Sequence, residues 1–357
     1  MTALRVTDHW LGPGQRDGTI LDVPLRENGR HANANRAAFE HWYFDARLDD
    51  GRVVVGFLQT AELMTKRPGV ELHVYNPDGT RLEKKRPYPL AAVVVSEERC
   101  DVRVGHNFAR VLAPQKNGLL SHELYLREGD LELNLRFDSE VPMWRPGLGY
   151  TSYGERDFFA WVVAAPRARV TGSVTAKGER REVSGIGYHD HNWGIGTMPK
   201  IVDHWYWGRV YAEDATCIYA TIFTTDRYAR MVSKPFMLAF GSEVVLSTGE
   251  VEIIEGKRVY DRVADQHYPS SLTLRADGGV AELVLTVREV LHAHDLLDEV
   301  PVVRNPVIKT FAKPLINRLL GRPGYFRFRS DFVLTANVGG HQLKRTGTTL
   351  HEAVALR

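Results

Sequence analysis

Along most of this 357-residue chain, apolar and polar residues alternate in short runs rather than recurring every three or four positions. A period of two is the mark of an extended strand, whose successive side chains point to opposite faces. Read this way, the sequence predicts strands over 52–60, 69–75, 119–126, 131–137, 158–164, 167–175, 183–187, 205–211, 215–224, 270–274, 280–287 and 326–336. Turn-forming clusters bound them, among them Asp49-Asp50-Gly51, Asn76-Pro77-Asp78-Gly79, Asn117-Gly118, Ala176-Lys177-Gly178 and Ala276-Asp277-Gly278-Gly279. Many short strands joined by tight turns describe a meandering antiparallel sheet that closes into a barrel or sandwich. The gaps rarely leave room for the crossover helix that a parallel sheet needs. One segment, 305–321, carries a helical pattern: Val307, Ile308, Phe311, Leu315, Ile316, Leu319 and Leu320 share a face that excludes Lys309, Lys313 and Arg318. Asn305-Pro306 suits its start and Gly321 its stop. Such a helix plugs a barrel end, or else serves as a lid or lies on a membrane surface, the last of which would give the protein a peripheral membrane contact.

Length changes the picture, because single cores stop growing at about 250–300 residues. Two domains are expected, 1–197 and 198–357, joined through the glycine- and proline-bearing stretch 189–203, which reads as irregular. Hydrophobic residues make up 43% and charged residues 25%, enough apolar surface for large cores. A net charge of +2 supplies no field for nucleic acid, so none is expected as partner. Cys100 and Cys217 form no CxxC pair, which suits a reducing cytoplasm. Residues 1–24 lack the apolar core of a secretory signal, and no run approaches the ~18 apolar residues of a membrane span. The expected location is cytoplasmic. Gly185-Ile186-Gly187 lacks the third glycine of a dinucleotide loop, and no cofactor is expected.

The chemistry concentrates in two places. In Gly187-Tyr188-His189-Asp190-His191-Asn192-Trp193-Gly194, a strand would put His189, His191 and Trp193 on one face and Asp190 and Asn192 on the other. Shortly after, Trp205, Trp207, Arg209 and Tyr211 would share a face. Three readings stay open: an aromatic active-site wall where His or Asp moves protons; a metal pair, His189 and His191, with no third ligand at a fixed offset; or a hydrogen-bonded structural corner between the domains. Earlier, Phe39-Glu40-His41-Trp42-Tyr43-Phe44-Asp45 would send Glu40, Trp42 and Phe44 one way and His41, Tyr43 and Asp45 the other. Glu40 beside an indole is a candidate acid of raised pKa, or a buttress of a barrel mouth. His292 and His294 read as solvated surface, and Cys217 as core. No Gly-x-Ser-x-Gly elbow supports a serine hydrolase.

The runs EHWYFDARLDDG at 40–51, VTGSV at 170–174, GYHDHNWG at 187–194 and WYWGRVY at 205–211 together resemble the carotenoid 1,2-hydratase (hydroxyneurosporene synthase) family and its attachment-protein-like relatives. The resemblance runs from about Glu40 into the C-terminal strands, and the HDHNWG element is its specific part. It implies an all-β fold of two lipocalin-like (calycin) barrels in tandem and non-redox chemistry on long apolar polyenes. In the hydratases an alkene is protonated and water captures the cation, whereas distant lipocalin-like relatives fold a polyene for a Diels–Alder cyclisation. Carried over by residue, the hydratase His and Trp match His191 and Trp193. The family's Tyr followed two residues later by Asp falls on Tyr219 and Thr221, so a hydroxyl stands where the acid belongs, with Asp214 and Asp226 flanking the strand. Threonine is far too weak an acid to protonate an alkene. Cyclisation or isomerisation by pre-folding is therefore as open as hydration.

The expectation is a cofactor-independent cyclase, isomerase or hydratase of an apolar terpenoid or polyketide polyene. Asp190, His191, Trp193, Tyr219 and Glu40 would be its catalytic residues, and Trp42, Tyr188, His189, Trp205, Trp207 and Thr221 would line a pocket near the domain junction. The rival is a non-catalytic lipid or isoprenoid carrier of the same fold.

Overall fold

The computed structural model describes residues 4, 6–8, 22–63, 65–296 and 323–357. Almost all of their regular structure is antiparallel strand, as the period-two pattern predicts. Thirteen strands form one sheet, whose main path runs Arg81–Pro87, Gly69–Tyr75, Val53–Ala61, Ala38–Leu48, Glu179–Ile195, Asp157–Ala176, Leu131–Ser139, Ser121–Glu128, Asn107–Val111, Asp101–Val104 and Val93–Val95. Ten more form a second sheet, whose main path runs Glu243–Thr248, Phe236–Phe240, Ala215–Thr224, Val202–Tyr211, His341–Ala355, Gly324–Val338, Ala281–Asp295, Ser271–Ala276 and Val251–Glu255. Every sheet-one strand ends by Ile195 and every sheet-two strand begins at or after Val202.

Both sheets curl. Val53–Ala61 touches Asp101–Val104, and Gly69–Tyr75 touches Ser121–Glu128, although these strands are distant in sheet order. The concave side of the first sheet encloses Trp42, Phe44, Leu58, Leu126, Phe137 and their neighbours. That of the second encloses Tyr206, Tyr219, Phe236, Phe326, Phe328 and the aliphatics between them. A third cluster, including Trp161, Tyr188, Ile218, Ala220 and Met237, packs between the two sheets. Each large side chain so buried contributes roughly 1.5–3 kcal/mol, which makes these three cores the main source of stability.

Most of the predicted strands lie within two or three residues of an observed one, but 183–187 and 280–287 extend to Ile195 and Asp295, and the pattern does not mark Arg81–Pro87, Asp101–Val104, Asn107–Val111, Phe236–Phe240, Glu243–Thr248, Val251–Glu255 or His341–Ala355. The stretches 158–164 and 167–175 are one strand, Asp157–Ala176. Its pairing with Glu179–Ile195 shifts register between Val163 and Ala168, around Pro166, which cannot donate to the ladder and is accommodated by an irregularity. The stretch 189–203, expected to be irregular, continues the Glu179–Ile195 strand, then makes a single turn of helix at Met198–Ile201 and enters Val202–Tyr211. His292 and His294 are half-buried on Ala281–Asp295 rather than solvated, and burial lowers the His292 pKa. Cys217 is wholly buried, as expected. The predicted helix 305–321 lies outside the described residues, and no described helix is long and apolar enough to cross a membrane.

Candidate functional site

Ala38–Leu48 and Glu179–Ile195 pair with His191 opposite Trp42, Asp190 opposite Tyr43, and His189 opposite Phe44. This register makes a two-sided ribbon. One face looks into the first sheet's interior, and the other looks toward the second sheet. Gly194 shows how tight the ribbon is: a Cβ there would lie 2.2 Å from the carbonyl oxygen of Phe158 and 2.8 Å from Cζ of Phe39.

On the inner face, the His191 ring stacks on Trp42 at 4.2 Å and is wholly enclosed. Its Nδ1 donates to the Glu27 carbonyl at 3.2 Å, which leaves Nε2 3.3 Å from Glu40 Oε1, at ion-pair distance but without the angle of a hydrogen bond. Glu40 also accepts the His31 backbone N–H at 2.6 Å and the Thr60 hydroxyl at 2.7 Å. Burial pushes this carboxyl up, but His191, the His31 amide and Thr60 outweigh burial and hold it below its ordinary value. Glu40 is thus an ionised carboxylate in the interior, not an acid of raised pKa. His189 uses both nitrogens: Nδ1 donates to the Tyr43 carbonyl at 2.9 Å, and Nε2 accepts from Asn28 Nδ2 at 3.0 Å. With both nitrogens engaged, His189 is not poised to share a metal with His191. A different trio, Glu71, His73 and Glu83, brings one ligand atom from each residue within 4.8 Å of the others. Lys85 already neutralises Glu71 at 3.2 Å.

The inner cluster reaches solvent through His31, a residue without periodic sequence signal. Its ring lies flat on Trp193, 3.7 Å away and tilted by 7°. His31 Nε2 donates to the same Glu27 carbonyl at 3.2 Å, which leaves Nδ1 as its proton-accepting nitrogen. Burial and then the neighbouring His191 lower its pKa. His31 and Trp193 form part of the wall of an open cleft of about 560 Å³. Phe158, Ala160, Leu148 and Tyr150 line it beside Arg26, Arg145 and Arg156 and the acidic Glu27, Glu155 and Asp157. Arg145 pairs with Glu27 at 3.0 Å through Nη1, and its Nε is buried without a hydrogen-bond partner among the described residues.

On the outer face, Asp190 Oδ2 accepts from Tyr188 Oη at 2.8 Å and Trp161 Nε1 at 2.9 Å, and Oδ1 accepts from Asn192 at 2.9 Å. Burial lifts its pKa to about 7 against those hydrogen bonds. Asp45 pairs directly with the guanidinium of Arg209 from the second sheet. The guanidinium lies over Tyr188 at 4.7 Å, Trp207 at 5.3 Å and Tyr211 at 5.6 Å. These aromatic faces therefore already hold a cation.

The expected single pocket is divided. Glu40, Trp42, His189 and His191 sit inside the first sheet, with Trp193 at the cleft. Tyr188, Asp190 and Trp207 sit between the sheets. Trp205 packs beside Ile201 and Tyr228, with Nε1 3.4 Å from Glu352. Tyr219 and Thr221 are buried within the second sheet. His31, Arg145 and the Glu27 carbonyl had no sequence signal that a single chain could reveal.

A family model described as AttH-like matches residues 82–301. Among curated proteins, hydroxyneurosporene dehydrogenase of Chlorobaculum tepidum is 38% identical over 69 residues, a match spanning 18% of this chain and 18% of that one. Among solved structures, one described as AttH from Nitrosomonas europaea has a TM-score of 0.60 at 15% identity, covering 97% of this chain and 99% of its own. CghA has a TM-score of 0.62 at 13% identity, covering 99% and 98%. Kievitone hydratase from Nectria haematococca has a TM-score of 0.55 at 13% identity, covering 99% and 97%. At these identities the structures show a shared fold.

Proposed function

The chain belongs to the AttH-like family, and from that premise we propose that it is a non-redox, acid–base enzyme of the hydratase or isomerase kind, acting on an unsaturated, largely apolar molecule that carries a conjugated carbonyl. The observation that carries this reading is His31, stacked on Trp193 in the cleft wall and backed by the Glu40–His191 pair. His191 is fully enclosed and positions the site, whereas His31 touches the cleft.

A histidine whose pKa is lowered is neutral at physiological pH and acts as a base. His31 Nδ1 takes a proton from water as the water oxygen bonds to the β-carbon of the conjugated system. The displaced π electrons move onto the carbonyl oxygen, where the Arg145 guanidinium in the cleft wall donates a hydrogen bond to the enolate. The imidazolium returns the proton to the α-carbon. Without water, the same base removes a proton from the γ-carbon, the same donor holds the resulting dienolate oxygen, and the imidazolium returns the proton to the α-carbon, which shifts the double bond from α,β to β,γ. The cleft wall carries Arg26, Arg145 and Arg156 against Glu27, Glu155 and Asp157, so its charge does not choose between the two reactions, and it is the neutral His31 base that favours conjugate addition over alkene protonation. Apolar lining from Phe158, Ala160, Leu148 and Trp193 receives the hydrocarbon body. The name of the curated protein similar over 69 residues, hydroxyneurosporene dehydrogenase, supports an unsaturated, largely apolar substrate class.

The test is incubation with conjugated terpenoid carbonyls such as citral and pseudoionone in heavy water. A product heavier by one water, or an isomer carrying deuterium at the α-carbon, is expected. His31→Ala and Arg145→Leu should each lower the rate by roughly 10²-fold or more. Saturable binding with no turnover would leave a carrier, and undiminished turnover by His31→Ala would remove this site from the chemistry.

A further inference from the structure

Beside the second sheet, a separate two-stranded hairpin pairs Arg258–Asp261 with Gln266–Pro269. Its root is fixed in the core: the Tyr268 ring lies 5.2 Å from Phe326 and 5.0 Å from Phe328, and Ala264 in the turn is 1% exposed. Its tip is open to solvent. Val263 is 67% exposed, Tyr260 47% and Val259 36%, and Lys257, Arg258, Arg262 and His267 are exposed around them. Single apolar side chains on a surface need no explanation, but three within five residues of one turn, flanked by basic groups, mark a surface that meets something.

The two carboxylates of the hairpin are spent within it. Asp261 Oδ1 accepts the amides of Val263 at 2.8 Å and Ala264 at 2.9 Å, and Asp265 Oδ1 accepts the Tyr260 hydroxyl at 2.7 Å. These bonds hold the tip in shape, so little ordering is lost when it binds. The basic groups are less engaged: Lys257 and Arg262 enter no ion pair among the described residues, and Arg258 stands 4.0 Å from Glu255, whose other oxygen accepts from Tyr206 at 2.8 Å. The tip is therefore apolar and positive together. A turn this small offers far less than the roughly 800 Å² per partner of a stable protein interface, whereas the headgroup boundary of an anionic bilayer suits both its charge and its size. The chain also leaves the described residues beside this hairpin: the Leu296 amide donates to the Pro323 carbonyl at 3.0 Å, and a Cβ on Gly324 would lie 3.4 Å from Ala264 Cβ. The sequence between them contains the basic amphipathic pattern of 305–321, which suits the same boundary.

We infer that the tip of this hairpin is a docking surface for an anionic lipid bilayer. Val263 leads into the acyl boundary with Val259 beside it, the Tyr260 ring sits at headgroup level, and Lys257, Arg258 and Arg262 meet the lipid phosphates. So few groups give a reversible, salt-sensitive contact rather than an anchor. The contact holds the protein at the phase in which large apolar molecules dissolve.

Co-sedimentation of the full chain with vesicles of phosphatidylcholine, alone or with about one-third phosphatidylglycerol, tests this. The anionic vesicles should bind it at least about tenfold more tightly than the neutral ones, and raising the salt from roughly 50 to 300 mM should release it. Val263→Asp, and Lys257→Glu with Arg262→Glu, should each weaken binding about tenfold or more. These side chains are exposed, so the variants should melt with the wild type. Val94→Asp, at a valine of the first sheet that is 68% exposed, should bind as the wild type does. A wild type that binds neither vesicle, equal binding to both lipids, or hairpin variants that bind undiminished would overturn the assignment, the last by giving the contact to another surface.

Discussion

Asp45 and Arg209 form an ion pair that joins the two sheets, the carboxylate standing on Ala38–Leu48 and the guanidinium on Val202–Tyr211. Asp45 is 1% exposed and Arg209 is 15% exposed, so water does little to screen either charge. Removing one partner leaves a buried charge alone. Asp45→Ala should cost roughly 3–5 kcal/mol in urea unfolding, and Asp45→Leu with Arg209→Met should recover most of it. A single-variant loss below about 1 kcal/mol would show that the pair does not tie the sheets together.

Glu40 is the charged group behind the proposed base. Glu40→Gln keeps an acceptor for the His31 amide and removes the charge. The turnover number should fall about 10²-fold with little change in KM, because the carboxylate positions the site without touching substrate. A change in KM alone would place Glu40 in substrate binding instead.

Gly194 tolerates no side chain. Gly194→Ala should lower the unfolding free energy by at least about 2 kcal/mol, because the nearest atom is a backbone oxygen that cannot swing away. A denaturant midpoint equal to the wild type would show that the ribbon can part there.

His122 and His351 are buried and neutral, their pKa values lowered by burial to about 4 and about 3. In the unfolded chain each titrates near its ordinary value of 6.5, so below that pH the unfolded state binds more protons than the native state. Their contribution to stability is full above pH 6.5 and is lost as the pH falls toward the folded values, by about 1.4 kcal/mol per pH unit for each group. Asp190, raised by burial to about 7, acts in the opposite sense: the native state holds its proton between about pH 4 and 7, so its term weakens the fold as the pH rises through that window. Urea midpoints at pH 7, 6 and 5 should therefore decline toward acid, and His351→Leu should decline less steeply. Equal slopes would remove His351 from the account.

Much of this was legible in the residues. Alternation alone assigned His189, His191 and Trp193 to one face and Asp190 and Asn192 to the other, and it did the same for Glu40, Trp42 and Phe44 against His41, Tyr43 and Asp45, because a strand's period leaves no other arrangement. What alternation cannot say is which volume a face looks into. Tyr219 and His191 each point inward, but into different sheets, so residues that look like one constellation in sequence are parted in space. His31 was illegible for a different reason: it belongs to an irregular segment, and only its stacking on Trp193 gives it a role.

The short 3₁₀ turn Leu25–Asn28 holds the inner cluster through its main chain: the Glu27 carbonyl takes both His31 and His191, and the Asn28 carbonyl takes the Trp42 indole at 3.0 Å. An oxygen supplied by the peptide backbone is present whatever side chain is attached to it. Single replacements at Glu27 and Asn28 would therefore report only on their side-chain bonds to Arg145 and His189 and would pass over these three main-chain contacts. Deleting one residue there would displace all of them at once.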